Sequence, residues 1–322
     1  MTKSKRTIEH WIKHGGLFSS VFGVVRFVLF ACMSFVLLYP LLYMISVAFR
    51  PVSDMYDPMV VWVPKTFTLD NMVDVFKKMD YPKALMNTVI IDFGSSIIQV
   101  FICSMAGYGF ARFNFRFKKL LFAILMMIII IPPQLITIPS YLNLKNFDFF
   151  GTGSLLGLFT GQPLTVNLLN NPLAFYIPAF FGAGIRSSLF IFIFRQFFRG
   201  LPKELEQSAY VDGSGPFRTY FQIMFPNAVT AVITVLLFSI VWYWNDFYYV
   251  SMYFSTTRTV TTALYNIRAT LVTDSGLSIE DPIGFATRIQ AACLYVVGPI
   301  LILYIVLQRY FTESIERTGI VG

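Results

Sequence analysis

The chain has 322 residues, of which 56% are hydrophobic types and only 13% are charged. A soluble domain usually carries about 25% charged residues, and one soluble core could not bury so much apolar surface. These counts exclude a soluble globular domain and a disordered chain. The net charge is +8, but the basic residues lie in short segments between apolar runs, which argues against nucleic acid as a partner.

Six apolar segments are long enough to cross a bilayer, which takes roughly 20 helical residues. The predicted spans cover about residues 24–49, 84–111, 120–142, 178–198, 226–254 and 289–311. The sequence therefore predicts an all-α polytopic membrane protein. Its predicted domains are a cytoplasmic basic N-terminal segment at 1–23, a transmembrane domain at 24–311 and a cytoplasmic C-terminal tail at 312–322.

Two regions depart from regular spans. Pro132, Pro133 and Pro139 interrupt the third span and predict a kink, because proline removes a helix hydrogen bond. Segment 155–182 is apolar but broken by several glycines and prolines. We expect it to form an external loop with a re-entrant or interfacial helix rather than a seventh span.

The distribution of lysine and arginine predicts the orientation. The short link 112–119 carries four basic residues, and 195–218 is also basic. Loops rich in lysine and arginine stay in the cytoplasm. Because an even number of spans puts both termini on one side, six spans and these basic links predict that both termini lie in the cytoplasm.

Segment 199–226 carries strong helix signals although it is too polar for the bilayer. We expect a short helix at 203–212, ended by a left-handed Gly213. Ser214 or Gly215 can cap a second helix, with Pro216 at its first position. The pattern predicts a compact helix–turn–helix that either docks on a partner or packs on the protein's own helices.

The second helix of this segment is amphipathic. Phe217, Tyr220, Phe221 and Met224 recur at helical spacing, which predicts a single apolar face. Pro226 is expected to close this helix and to begin the fifth span.

A short motif in the same segment resembles the EAA motif of ABC-importer permeases. The residues that carry the likeness are Gln207, Ser208, Ala209, Asp212, Gly213, Ile223 and Pro226. The flanking stretch from Arg195 to Glu206 is similar to the carbohydrate-uptake branch, in particular to the second permease subunit of maltose-type systems. Gln207 and Ser208 stand where the family has glutamate and alanine, so a neutral hydrogen bond replaces a charged one at 207.

The resemblance implies the ABC type I importer permease fold and a coupling helix that seats in a groove of a separate ATPase. The residues that it marks for ATPase coupling are Glu206, Gln207, Ser208, Ala209, Asp212, Gly213, Phe217 and Phe221. It also implies a C-terminal tail that reaches between the ATPases.

The resemblance implies a location in the bacterial cytoplasmic (inner) membrane and a set of partners. These are a second permease subunit in a heterodimer, two ATPase subunits and an extracytoplasmic substrate-binding protein. The chain has no Gly-Lys pair and hence no P-loop, so ATP and Mg²⁺ are expected on the ATPase subunits. We expect no catalytic residue, no cofactor and no metal site in this chain, since its few cysteines and histidines lack ligand spacing.

Polar residues inside spans are costly and are therefore candidates for the substrate path. These candidates are Asp92, Arg186, Trp244, Asn245 and Asp246. Arg186 lies roughly 13 Å from the cytoplasmic end of its span, where it either contacts a sugar or pairs with an acid. Asp92 either lines a cavity or caps a helix end. The aromatic residues around Asn245 suit a sugar face and equally suit an interfacial belt.

The sequence predicts a permease subunit that imports a carbohydrate, in particular an oligosaccharide, with an acidic sugar as one candidate. Two alternatives stay open at this point. One is a secondary transporter driven by an ion gradient, with Asp92, Arg186 and Asp246 in a proton relay. The other is an ABC permease for a solute that is not a sugar.

Overall fold

The computed structural model describes residues 16–161, 164–275 and 282–319. A basic cytoplasmic segment was predicted at 1–23, and its basic residues, up to Lys13, lie outside these ranges. The described residues form helices and one isolated bridge between Phe147 and Val166, with no β-strand. The helices are α1 Gly16–Ala48, α2 Val52–Met55, α3 Asp70–Lys78, α4 Tyr81–Arg112, α5 Lys118–Ile130, α6 Pro133–Lys145, α7 Thr152–Thr160, α8 Leu173–Phe180, α9 Ser187–Gly200, α10 Glu204–Val211, α11 Pro216–Asn227, α12 Val229–Trp244, α13 Tyr248–Tyr253, α14 Val260–Ser275 and α15 Pro282–Gly319.

Three described helices are long and apolar enough to cross a membrane. They are Phe22–Ala48, Tyr81–Arg112 and Phe285–Gln308, and they match the first, second and sixth predicted spans. Two further pairs pass the same test together, α5 with α6 and α11 with α12. The described helices thus give three spans, or five if each bent pair counts as one. The predicted number of six is not confirmed.

The predicted fourth span at 178–198 is divided between two helices. Helix α8 ends at Phe180, and α9 begins only at Ser187 and has 14 residues. Gly182 and Arg186 between them have positive φ angles of 69° and 59°, which a continuous right-handed helix does not allow. The hydropathy of this stretch predicted a span, but its backbone turns within it.

The predicted kink in the third span is confirmed. Helix α5 ends at Ile130, α6 begins at Pro133, and their axes differ by 103°. Pro132 and Pro133 cannot donate the backbone hydrogen bonds that would continue α5. In the adjoining segment 155–182, helices α7 and α8 have nine and eight residues, far fewer than a bilayer requires.

The described residues within 16–75 and 282–294 form one compact unit, and those within 76–275 and 295–319 form a second. In the first unit, Arg50 is 4% exposed and connects the end of α1 to the loop after α2. Its guanidinium donates to the carbonyls of Val60 and Val61 at 3.1 and 3.2 Å and to the Ser46 hydroxyl at 2.9 Å. The Arg50 carbonyl accepts from the Asn71 amide at 2.8 Å.

We expect Arg50→Met to destabilise this loop by about 3 kcal/mol, because buried acceptors then lose a charged donor. Limited proteolysis of the purified protein should show faster cleavage between residues 50 and 70. Lys65→Ala is the control, because Lys65 pairs with Asp57 at the surface and exposed pairs contribute little. Equal cleavage rates in the two variants would contradict the role assigned to Arg50.

The second unit is built around α4, which packs against α8, α9 and α12. One buried cluster of this unit combines side chains from α4, α9, α11 and α12. The largest of these buried side chains are Tyr108, Phe190, Phe194, Phe198, Tyr220 and Met224. Because Tyr220 and Met224 come from the predicted coupling segment, that segment and the apolar helices share one core.

Candidate functional site

The helix–turn–helix predicted in segment 199–226 is present. Helix α10 spans Glu204–Val211, and Gly213 follows with a φ of 78°. The amide of Ser214 donates to the Ala209 carbonyl at 2.9 Å, which closes the end of α10. Gly215 precedes Pro216, the first residue of α11, as the capping pattern predicted.

Helix α11 continues past the end that Pro226 was expected to impose. It contains a π-helical turn over Tyr220–Met224 and runs to Asn227, and α12 starts at Val229 after a bend of 77°. A proline clashes with the carbonyl four residues before it. The wider π turn just before Pro226 gives that carbonyl room, so the bend falls at Ala228 instead.

The apolar residues of α11 divide between two faces rather than forming one. Tyr220 and Met224 are buried, whereas Phe217 is 71% exposed and Phe221 is 47% exposed. The Tyr220 hydroxyl lies 2.6 Å from the Ser104 hydroxyl of α4, and both side chains are buried. Because a buried hydroxyl without a partner is costly, this hydrogen bond anchors α11 to α4.

The outer surface of the segment is open and partly apolar. Its exposed residues include Gln207, Ser208, Tyr210, Val211, Asp212, Gly213, Phe217 and Phe221. Val211 is 87% exposed. We call these eight residues the α10–α11 surface. Glu206 and Ala209, which the resemblance also marked for ATPase coupling, are buried and do not belong to this surface.

Glu206 turns inward and forms an ion pair with Arg112, the last residue of α4. The Arg112 Nε lies 3.3 Å from a Glu206 carboxylate oxygen, and the two side chains are 8% and 10% exposed. Arg112 also donates to the Leu201 carbonyl at 2.7 Å. Sequence reasoning missed Arg112 as a site residue and counted it only as a basic residue of a loop.

Three of the candidate path residues meet at one small cavity. Asp92, Trp244 and Asp246 line a space of about 10 Å³, which is about the size of one water molecule. Asp246 accepts the amides of Tyr249 and Val250 at 3.4 and 3.1 Å, as a helix cap does. This cavity is far too small for a sugar ring.

The other two candidates do not line that cavity. The Arg186 guanidinium lies over the Trp242 ring, 4.5 Å from its centroid. Within the described part of the chain, Arg186 forms no ion pair, so the expected partner acid is not seen. The Asn245 amide donates to the Val241 carbonyl of its own helix at 2.9 Å.

Comparison with known proteins places the chain among transport proteins. A family model described as "Binding-protein-dependent transport system inner membrane component" matches residues 99–317. The arabinooligosaccharides transport system permease AraQ of Halalkalibacterium halodurans is 26% identical, with 91% of this chain and 94% of AraQ covered. The trehalose transport system permease SugB of Mycobacterium tuberculosis is 25% identical, with 88% and 93% covered.

A solved structure shows the same fold. It is a bacterial ABC transporter involved in the import of the acidic polysaccharide alginate, and one of its chains is 20% identical with a TM-score of 0.69. The match covers 91% of this chain and 97% of that chain. The family match extends over more than half of the sequence. The chain therefore belongs to the family of inner membrane components of binding-protein-dependent transport systems.

Proposed function

We propose that the chain is a permease subunit of an ATP-driven ABC importer that moves a carbohydrate across the bacterial cytoplasmic membrane. The family match supports the transport role. Two relatives are named as permeases for arabinooligosaccharides and for trehalose, and the structural neighbour is involved in alginate import. These names support a carbohydrate substrate, and an oligosaccharide in particular.

We infer the partners from the same family. The chain pairs with a different permease subunit, and two ATPase subunits bind ATP and Mg²⁺ on the cytoplasmic side. An extracytoplasmic binding protein delivers the substrate. Both termini lie in the cytoplasm, which agrees with the basic residues of the 112–119 link.

The α10–α11 surface is proposed as the ATPase docking site. Lys203, Glu204 and Arg218 are exposed on the same segment, so water rather than lipid surrounds it. Yet Val211 and Phe217 are among its most exposed side chains. Large apolar side chains that share an exposed surface in water mark a protein contact, and this observation carries the proposal.

The buried face of the segment explains how docking could drive transport. Tyr220 and Met224 fill the core that α4 and α9 also build. A close-packed core transmits displacement rather than absorbing it. Closure of two ATPases on ATP would therefore move the docked segment and the apolar helices together, which opens the path alternately to each side.

Phe217→Ser tests the docking site. We expect the variant to retain at least tenfold less ATPase subunit in a pull-down of the detergent-solubilised complex, because a large apolar contact at an interface centre is lost. ATP-dependent sugar uptake by proteoliposomes should fall in parallel.

Phe117→Ser is the matched control for this experiment. Phe117 is 61% exposed in the other predicted cytoplasmic segment and lies outside the α10–α11 surface. It should leave ATPase recovery unchanged. Equal recovery with both variants would refute the docking site, and the absence of any ATPase subunit bound to the unmodified chain would refute the importer itself.

A further inference from the structure

We propose that the Arg112–Glu206 ion pair is the rigid link through which α10 moves α4 during transport. This inference rests on the proposed function and assigns a positioning role to two residues inside the same segment. Glu206 is the third residue of α10, and Arg112 is the last residue of α4. The pair therefore joins the two helix ends directly.

Arg112 holds three elements at once. Its Nε faces the Glu206 carboxylate at 3.3 Å, and its terminal nitrogen donates to the carbonyl of Leu201 at 2.7 Å. Leu201 is the residue that directly follows α9 and caps its end. One planar guanidinium thus fixes the cytoplasmic ends of α4 and α9 against α10, a geometry that lysine cannot reproduce.

The burial of the pair indicates a role in position rather than in stability. Both side chains are at most one-tenth exposed, so each charge loses its hydration. The attraction between buried charges often does no more than offset that loss, and apolar replacements can be equally stable. The hydrogen bond to the Leu201 carbonyl orients the Arg112 guanidinium, and this keeps its charge beside the Glu206 carboxylate. The pair thereby limits the register of the two elements, whereas apolar side chains can slide past each other.

Helix α10 needs such a fixed register. It has only eight residues and lies between Pro202 and the left-handed Gly213. Its apolar anchorage comes from Leu205 and Ala209, which are small contacts for a helix that is to transmit force. Without Arg112, α10 could turn about its own axis when a partner presses on its outer surface.

The helix at the other end of the link is suited to carry the motion. Helix α4 has 32 residues without a break, and at 1.5 Å per residue it is about 48 Å long. It also carries Asp92, which lines the cavity shared with Trp244 and Asp246. A displacement at Arg112 therefore reaches the polar interior without passing through a flexible joint.

The test compares uptake with ATP hydrolysis in the reconstituted complete transporter. Glu206→Gln keeps the shape of the side chain and removes its charge. We expect ATPase recovery in a pull-down to stay at the wild-type level, because the α10–α11 surface is intact. Sugar taken up per ATP hydrolysed should fall about tenfold.

A double variant, Arg112→Met with Glu206→Met, separates positioning from folding. Two apolar side chains of similar size should keep the thermal stability of the complex near that of the wild type, while uptake per ATP stays low. If this stable variant transports with wild-type efficiency, the link is refuted. The same holds if Glu206→Gln leaves the ratio unchanged.

These outcomes are distinct from failure of the proposed function. If no ATPase is recovered with the unmodified chain, the importer proposal fails. If ATPase is recovered and is released by Phe217→Ser, but either Glu206 variant couples normally, only the link fails. Arg112→Lys should transport poorly, since an ammonium lacks the planar fork that places one nitrogen at the Glu206 carboxylate and another at the Leu201 carbonyl.

Discussion

Replacing Gly107 with alanine is expected to destabilise the packing of α4 against α9 by about 1–3 kcal/mol. A Cβ atom at this position would lie 2.5 Å from the Cβ of Phe194, 3.0 Å from the Arg195 nitrogen and 3.1 Å from the Ile191 carbonyl oxygen. Two of these atoms belong to the backbone of α9 and cannot move unless the whole helix shifts. Because Phe194 is fully buried, the shift would disturb the core.

Gly109→Ala is a control on the same helix. A Cβ at Gly109 would meet nothing within 4 Å, and alanine favours helix more than glycine. The apparent melting temperature of the purified protein in detergent should fall for Gly107→Ala and stay the same or rise for Gly109→Ala. Equal melting temperatures would show that the helices do not approach each other at Gly107.

These two glycines show how far sequence patterns reach. Small residues in apolar runs predict that two helices pack closely. By this criterion the sequence offers four glycines, Gly107, Gly109, Gly182 and Gly184. The structure assigns that role to Gly107, whereas Gly109 faces open space and Gly182 serves a turn with positive φ. Gly184 lies in the turn between α8 and α9, where a Cβ would meet Tyr243, Ala179 and Gln99. A sequence gives the residue type, but only the neighbouring helix decides which glycine it touches.

Local signals predicted structure best. The adjacent Pro132 and Pro133 predicted the break between α5 and α6, and Gly213 with Pro216 predicted the turn between α10 and α11. Each of these depends on backbone geometry within a few residues. Hydropathy located the long helices, yet it treated 178–198 as one span, because it does not register the positive φ of Arg186.

Contacts between residues that are far apart in the chain could not be predicted from the sequence. Asp92, Trp244 and Asp246 were selected separately, by the cost of polar groups in a membrane, and the structure brings them to one cavity. Glu206 was listed among the ATPase-coupling residues, but its side chain pairs with Arg112 on a different helix. No periodicity connects such residues, since their contact depends on how α4 and α10 pack.

Gly213→Val is expected to abolish sugar uptake by the reconstituted transporter, while the protein still inserts into the membrane. Gly213 has a φ of 78°, and a residue with a Cβ costs about 1–2 kcal/mol in this left-handed region. A β-branched side chain is the least tolerant. The turn would open, and Val211 on α10 and Phe217 on α11 would lose the spacing that presents them together to the ATPase.

Two further variants isolate the backbone as the cause. Gly215 belongs to the same turn, and a Cβ at either glycine meets nothing within 4 Å. Its φ of −77° is one that any residue adopts, so Gly215→Val should transport normally. Gly213→Asn should retain much of the uptake, because asparagine tolerates the left-handed region. If Gly215→Val were as impaired as Gly213→Val, side-chain bulk rather than chain direction would explain the loss, and the angle between α10 and α11 would have no special role in coupling.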